Sequence, residues 1–125
     1  MLEDWDVGLV KHLGIEFVET GKDKIIGKLR VRSELLTTTG TLHGGTLMAF
    51  ADTIGAAGTV MNLEKGQNTA TLESKTNFFA ACRSGVVRAE ATPLHRGKRT
   101  HVWQTRITDE AGKLLSLTIQ TQIIL

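Results

Sequence analysis

Residues 41–60 read TLHGGTLMAFADTIGAAGTV, and the rest of the chain has to be arranged around them. The spacing predicts one helix from residue 44 to about 61, apolar on nearly every side and opened by Gly44-Gly45 after His43. A helix that is apolar all round must be covered on most sides. Ala49, Ala51, Gly55, Ala56, Ala57 and Gly58 are small, so a sheet can approach it closely. One carboxylate, Asp52, stands in the middle. A buried charge costs several kcal/mol unless it is paired or hydrated, so an acid on such a helix marks a candidate functional site. Its chemistry is that of a nucleophile or of a general base toward water.

The flanking segments say what covers the helix. Leu2, Trp5, Leu9 and Leu13 recur at helical spacing up to Gly14, which predicts a short amphipathic helix over residues 2–13. From Ile25 to Arg32 the period is two, with Ile25, Leu29 and Val31 opposite Lys28, Arg30 and Arg32. Residues 15–19 make a hairpin partner for that strand across Gly21-Lys22-Asp23. After a polar loop at 62–68, four strand-like segments follow at about 69–80, 85–95, 99–109 and 113–124. Arg83-Ser84-Gly85, Arg96-Gly97-Lys98 and Asp109-Glu110-Ala111-Gly112 read as the turns between them. In the last, Leu115, Leu117, Ile119 and Ile123 alternate with Ser116, Thr118, Gln120 and Gln122. The expectation is an α+β fold in which a curved antiparallel sheet, ending in a four-strand meander, wraps one long helix.

Composition narrows the function. A chain of 125 residues suits one domain, and a net charge of +2 makes no case for nucleic acid. The single cysteine, Cys82, excludes an internal disulfide framework and suits a reducing cytosol. The start, MLEDWDVG, is acidic where a secretion signal is basic, and no apolar run approaches the length of a membrane span. His12, His43, His95 and His101 show no metal-ligand spacing, so no metal or other cofactor is expected. Cys82 and the serines lack the setting of a nucleophile.

Two further features bear on the site. The N–H groups of a helix's first turn carry partial positive charge. At Gly44-Gly45 they are open to a close ligand, as the donors of an oxyanion hole must be. His43, just before them, reads as a structural hydrogen-bonding residue. Gly44 and Asp52 are eight residues apart, or about 12 Å along the axis, whereas a reacting carbonyl needs both groups within about 3 Å. If they act on one substrate, they come from two copies of the chain. Arg96-Gly97-Lys98-Arg99 is a basic turn, either a solvated loop or a phosphate contact, with Arg83 and Arg88 adding to it if they share its edge.

The stretch TTTGTLHGGTLMAFADTIGAAG, with its Gly-x-x-His-Gly-Gly followed by an acid, resembles the central motif of hotdog-fold acyl-CoA thioesterases of the phenylacetate-degradation (PaaI) type. TATLESKTNFFAACRSG, HRGKRT and ITDEAGKLLSLTIQTQIIL resemble that family's last four strands, and the likeness runs from about residue 5 to the end. The resemblance implies a helix wrapped in a sheet, a homodimer with joined sheets that often pairs into a tetramer, and hydrolysis of an aryl or medium-chain acyl-CoA. It implies catalytic roles for Gly44, whose N–H polarises the thioester carbonyl, for the partner's Asp52, and for Thr37. His43, Gly45, Thr53, Thr71 and Phe78 are then at the substrate, and His95, Arg96, Gly97, Lys98, Arg99 and Thr100 at the CoA nucleotide. Thr37 stands where the pattern usually has Asn or Gln, a shorter donor. Ala56 offers no hydroxyl four residues after the acid, and Thr53 is the candidate to substitute for it. The rival reading is a hotdog module that binds acyl-CoA without catalysis.

Overall fold

The computed structural model describes residues 2–125. A 3-10 turn at Glu3–Trp5 leads into helix α1, Gly8–Leu13. Strands β1 (Glu16–Thr20) and β2 (Ile25–Arg30) form the hairpin, and helix α2 spans Gly44–Val60. Strands β3 (Thr69–Phe78), β4 (Val86–Arg96), β5 (Thr100–Thr108) and β6 (Leu114–Ile124) complete the chain. Among the described residues no helix is long and apolar enough to cross a membrane.

The six strands form one sheet in the order β1-β2-β4-β5-β6-β3, with every pairing antiparallel. Helix α2 packs against β2, β3, β4, β5 and β6. Five adjacent strands span about 19 Å, twice a helix diameter, so the sheet curves around α2 to touch it from both sides. The approach is as close as the small residues allow. A Cβ on Gly58 would stand 2.6 Å from the Trp103 ring, and one on Gly27 would stand 2.5 Å from Ile54 Cδ1. Phe50, Ile54, Ile25, Leu29, Val87, Trp103 and Ile107 are buried around these contacts.

The structure corrects two sequence expectations and adds two features that they left open. The four last strands are not a meander. β4, β5 and β6 are, but β3 lies beyond β6 at the sheet edge and β4 pairs with β2. Residues 79–85 are therefore a crossover rather than a hairpin turn, held by Leu42 N–H to Cys82 O at 2.7 Å and Val31 N–H to Gly85 O at 2.8 Å. Second, residues 2–13 are not one helix. The chain breaks at Asp6–Val7, and Leu9 ends 60% exposed instead of packing inward.

Third, β6 alternates as read, but its polar set faces the helix. Ser116, Thr118 and Gln120 are 0% exposed, while Ile119 is 40% exposed on the outer face. Fourth, α2 is not enclosed. Met48 and Gly45 are exposed, and Ala49, Asp52, Ala56 and Val60 are only part-buried. These positions repeat every three or four residues, which makes one open stripe along the helix.

The Gly58–Trp103 contact sets the distance between helix and sheet. Gly58→Ala gains up to about 1 kcal/mol of helix propensity but drives a methyl into a fully buried ring, where overpacking costs about 1–3 kcal/mol. Urea unfolding of Gly58→Ala is expected to show a net loss of about 1–2 kcal/mol. A variant as stable as the parent would mean that the indole can move aside.

Candidate active site

The entry to α2 explains which first-turn donor is free. His43 is the N-cap, and its Nδ1 accepts the Gly45 N–H at 2.7 Å. Its carbonyl accepts the Thr46 and Leu47 N–H groups at 2.9 and 3.1 Å. Among the described residues the Gly44 N–H has no partner. The structural reading of His43 thus fits this geometry, while Gly45, expected as a substrate donor, has its N–H engaged by His43. Phe78 lies over the same end, since a Cβ on Gly44 would sit 3.3 Å from its ring atoms. Phe78 is 50% exposed.

Thr37 is tied to its own loop. Its Oγ1 accepts the Thr39 and Thr41 N–H groups at 3.3 Å each and lies 3.0 and 3.1 Å from their hydroxyls. The Thr53 hydroxyl donates to Ala49 O at 2.8 Å, so its one hydrogen serves its own helix rather than a water beside Asp52.

Asp52 sits on the open stripe beside β3 and β6. Its Oδ1 lies 2.6 Å from Thr71 Oγ1 and accepts from Gln120 Nε2 at 3.2 Å. Thr71 Oγ1 is also 2.6 Å from Gln122 Oε1; with one hydrogen, it donates to one of these oxygens at a time. No described residue bonds Asp52 Oδ2. A β-bulge between Thr71 and Glu73 reverses the parity of β3, so that Thr71 faces Asp52 while Thr76 and Phe78, beyond the bulge, also face inward. Gln120 and Gln122 were not singled out in the sequence. Their signal is the polar half of the β6 alternation, whose inward direction depends on Asp52, 68 residues away.

The basic turn lies past the other end of α2. Trp103 Nε1 donates to Thr59 Oγ1 at 3.0 Å, and that hydroxyl is 3.2 Å from His101 Nδ1. Thr59 is seven residues beyond Asp52, about 10 Å along the axis. In the turn itself, Arg96 pairs with Asp23 at 2.7 Å and also donates to Lys22 O, so it braces the β1–β2 turn rather than standing free. A Cβ on Gly97 would lie 2.6 Å from His95 Nε2. Lys98 and Arg99 are exposed and without a salt bridge among the described residues, and Thr100 opens β5.

Arg83 and Arg88 do not join this cluster. Arg83 donates to Thr39 O. Arg88 pairs with Glu90 eight residues up β4 from Arg96, roughly 25 Å away. One chain thus gathers Gly44, His43, Gly45 and Phe78 at one place, Asp52 and Thr71 at a second, and residues 95–100 at a third. Gly44 and Asp52 stay two helical turns apart.

The Thioesterase superfamily profile matches residues 39–116. A 1,4-dihydroxy-2-naphthoyl-CoA hydrolase of Listeria monocytogenes is 35% identical over 111 residues, covering 89% of this chain and 90% of that protein. The solved structure of a Haemophilus influenzae thioesterase is similar at a TM-score of 0.91 and 34% identity, over 99% of this chain and 85% of that one. The Escherichia coli PaaI protein of the phenylacetic acid degradation operon reaches a TM-score of 0.86 at 23% identity, over 93% and 83% of the two chains, a likeness of fold alone.

His101 gives the site region a pH signature. Burial pushes its pKa below the ordinary 6.5, and the positive charges of Arg96 and His95 push the same way. The folded protein then takes up this proton less readily than the unfolded chain, whose histidines titrate near about 6.5. Stability is kept above that value and falls as pH drops below it. Melting temperatures measured from pH 7 to 5 should fall in the parent and fall less in His101→Gln; parallel curves would exclude His101 as the cause. By its matched span, its relatives and its helix-in-sheet architecture, the chain belongs to the thioesterase superfamily and is a hotdog-fold thioesterase.

Proposed function

We propose that this protein hydrolyses aromatic acyl-CoA thioesters to the free acid and CoA, at sites shared between two copies of the chain. The observation that carries this reading is Asp52: a part-buried carboxylate on the open stripe of α2, with Oδ1 bonded and Oδ2 free. As nucleophile, Oδ2 attacks the thioester carbon, CoA leaves as thiolate, and water then hydrolyses the acyl–Asp52 anhydride. As general base, the carboxylate takes a proton from the water that attacks. In either case the oxyanion accepts the free Gly44 N–H of the other chain. Phe78, over Gly44, and Thr71, beside Asp52, then border the acyl group, with His43 holding the helix entry in shape and Thr37 bracing the loop before it.

An aromatic acyl group is favoured by the exposed Phe78 ring and by the naphthoyl-CoA hydrolase among the relatives. Lys98 and Arg99 are the unpaired charges for the CoA phosphates, and Arg96 keeps their turn in place. The homodimer is supported by β3, an edge strand paired on one side only, with Leu72, Phe78 and Phe79 exposed at 59%, 50% and 57%. Unpaired strand edges invite a second strand. The free Cys82 suits a reducing cytosol.

CoA-thiol release from phenylacetyl-, benzoyl-, 1,4-dihydroxy-2-naphthoyl- and octanoyl-CoA tests the reading. The aromatic thioesters are expected to have the higher kcat/KM. Asp52→Asn should lower kcat by at least about 10² while substrate still binds. Near-parent turnover by this variant would sink the assignment.

The shared site has its own test. Asp52→Ala keeps the N–H donor, and Gly44→Pro deletes it at the first helical position, where proline is tolerated. His43 already has the extended ψ of 137° that a residue before proline adopts. Each variant alone should be inactive. A mixed dimer holds one site with Gly44 from one chain and Asp52 from the other, so co-refolding should restore up to about half of parental activity, with the fold of each checked by circular dichroism. Mixed dimers confirmed by mass that stay inactive would show that donor and acid do not meet across an interface.

A further inference from the structure

Two glutamines of β6 face the helix rather than water. Gln120 is 0% exposed and Gln122 is 1% exposed. A buried amide is costly unless its polar atoms are partnered. Gln122 meets that condition, since its Nε2 donates to Thr69 Oγ1 at 3.1 Å and its Oε1 accepts from Gln120 Nε2 at 2.9 Å. Gln120 does not. Its Nε2 is directed at Asp52 Oδ1 and at the Asp52 main-chain oxygen, both at 3.2 Å, but its Oε1 is buried without a partner. An unbranched apolar side chain would fill the same space with no orphaned carbonyl. The fold also clears a place for this amide: a Cβ on Gly55, one turn after Asp52, would stand 2.1 Å from Gln120 Oε1.

We propose that Gln120, braced by Gln122, is a positioning residue for the thioesterase reaction. It grips Asp52 from the core side, at Oδ1 and at the main chain, so that Oδ2 projects into the open stripe. The proposal rests on the reading of Asp52 as the reacting carboxylate. Thr71 reaches the same Oδ1 from the edge strand, whereas Gln120 reaches it from a strand paired on both sides. Reacting groups keep their geometry when their partners are themselves locked, and a displacement of about 1 Å can cost up to about 10²-fold in rate. The amide touches no substrate, so all of its influence passes through Asp52.

A double-mutant cycle with benzoyl-CoA as the probe tests this. Gln120→Met keeps the length and removes the amide. It should lower kcat about 10-fold or more, leave KM within about 3-fold, and leave the melting temperature unchanged or raised, since an unpartnered polar atom is removed. In the Asp52→Asn background the same change should lower the residual rate no further. If Gln120→Met does not fold, Gly55→Ala carries the test, because its methyl displaces the amide from Asp52 without removing it; the same loss of kcat is expected. Parental kcat in the folded variant, or an equal loss with and without the Asp52 carboxylate, would overturn the positioning role. Near-parent turnover by Asp52→Asn alone would instead overturn the reading on which it rests.

Discussion

The distance between α2 and the sheet is the constraint on which the rest of the molecule depends. Three glycines set it. Gly58 lies under the Trp103 ring, Gly27 under Ile54, and Gly55 under the Gln120 amide. At each place a methyl group would collide with a buried side chain. Because interiors are packed at crystal-like density, these contacts hold the helix against sliding and rotation together. Turning α2 by one residue, about 100°, would put a side chain where Trp103 now lies. The same lock leaves Asp52 on the side that the sheet does not cover.

The interior divides along the sheet. On β2 and β4 the inward residues are Ile25, Leu29, Val87, Ala89 and Ala91, all buried and apolar. On β3 and β6 they are, apart from Phe78 at the end of β3, Thr71, Ser74, Thr76, Ser116, Thr118, Gln120 and Gln122. Burial of the first set is stabilising, at roughly 25 cal/mol per Å². The second set offsets some of that gain, because the hydroxyls of Ser74 and Ser116 and the Gln120 carbonyl are buried without partners. Polar groups gather on the side of α2 that carries Asp52. A site that must hold a carboxylate in a fixed direction needs donors there, and donors cannot be supplied by an aliphatic core.

Much of this was legible in the sequence, and the parts that were not share a cause. The two periods place α2 and all six strands to within a few residues, because apolar periodicity is a local property. The Gly-Gly opening and the lone acid pick out Gly44 and Asp52 for the same reason. Pairing is not local. Arg83-Ser84-Gly85 has the composition of a hairpin turn, yet the chain there crosses to β2, and only contacts with Val31 and Leu42 reveal it. Bulges hide in the same way. The extra residue near Leu72 reverses which side chains of β3 point inward, and nothing in TATLESKTNF announces it. The roles of Gln120 and Gln122 depended on knowing that β6 passes beside Asp52, a contact between residues far apart in the chain.

The open stripe has a symmetry consequence for the proposed two-chain site. A two-fold axis at right angles to α2 would set the two helices antiparallel, with the same contact surface on both. For Gly44 of one chain to stand level with Asp52 of the other, the axis must cross α2 halfway between them, at residue 48. That residue is Met48, 40% exposed, and among the described residues it is the one large apolar side chain of α2 that the fold leaves so open. A methionine suits a place where two copies of one side chain meet across an axis, because its unbranched, rotatable thioether can pack against itself without a single required shape. The same axis would bring the two β3 edges side by side with their exposed Phe78 rings, each already lying over its own Gly44. Pairing of the sheets and completion of the reactive centre would then be one event, in which the apolar surface left on α2 and β3 is covered by the chain that also delivers the missing N–H group.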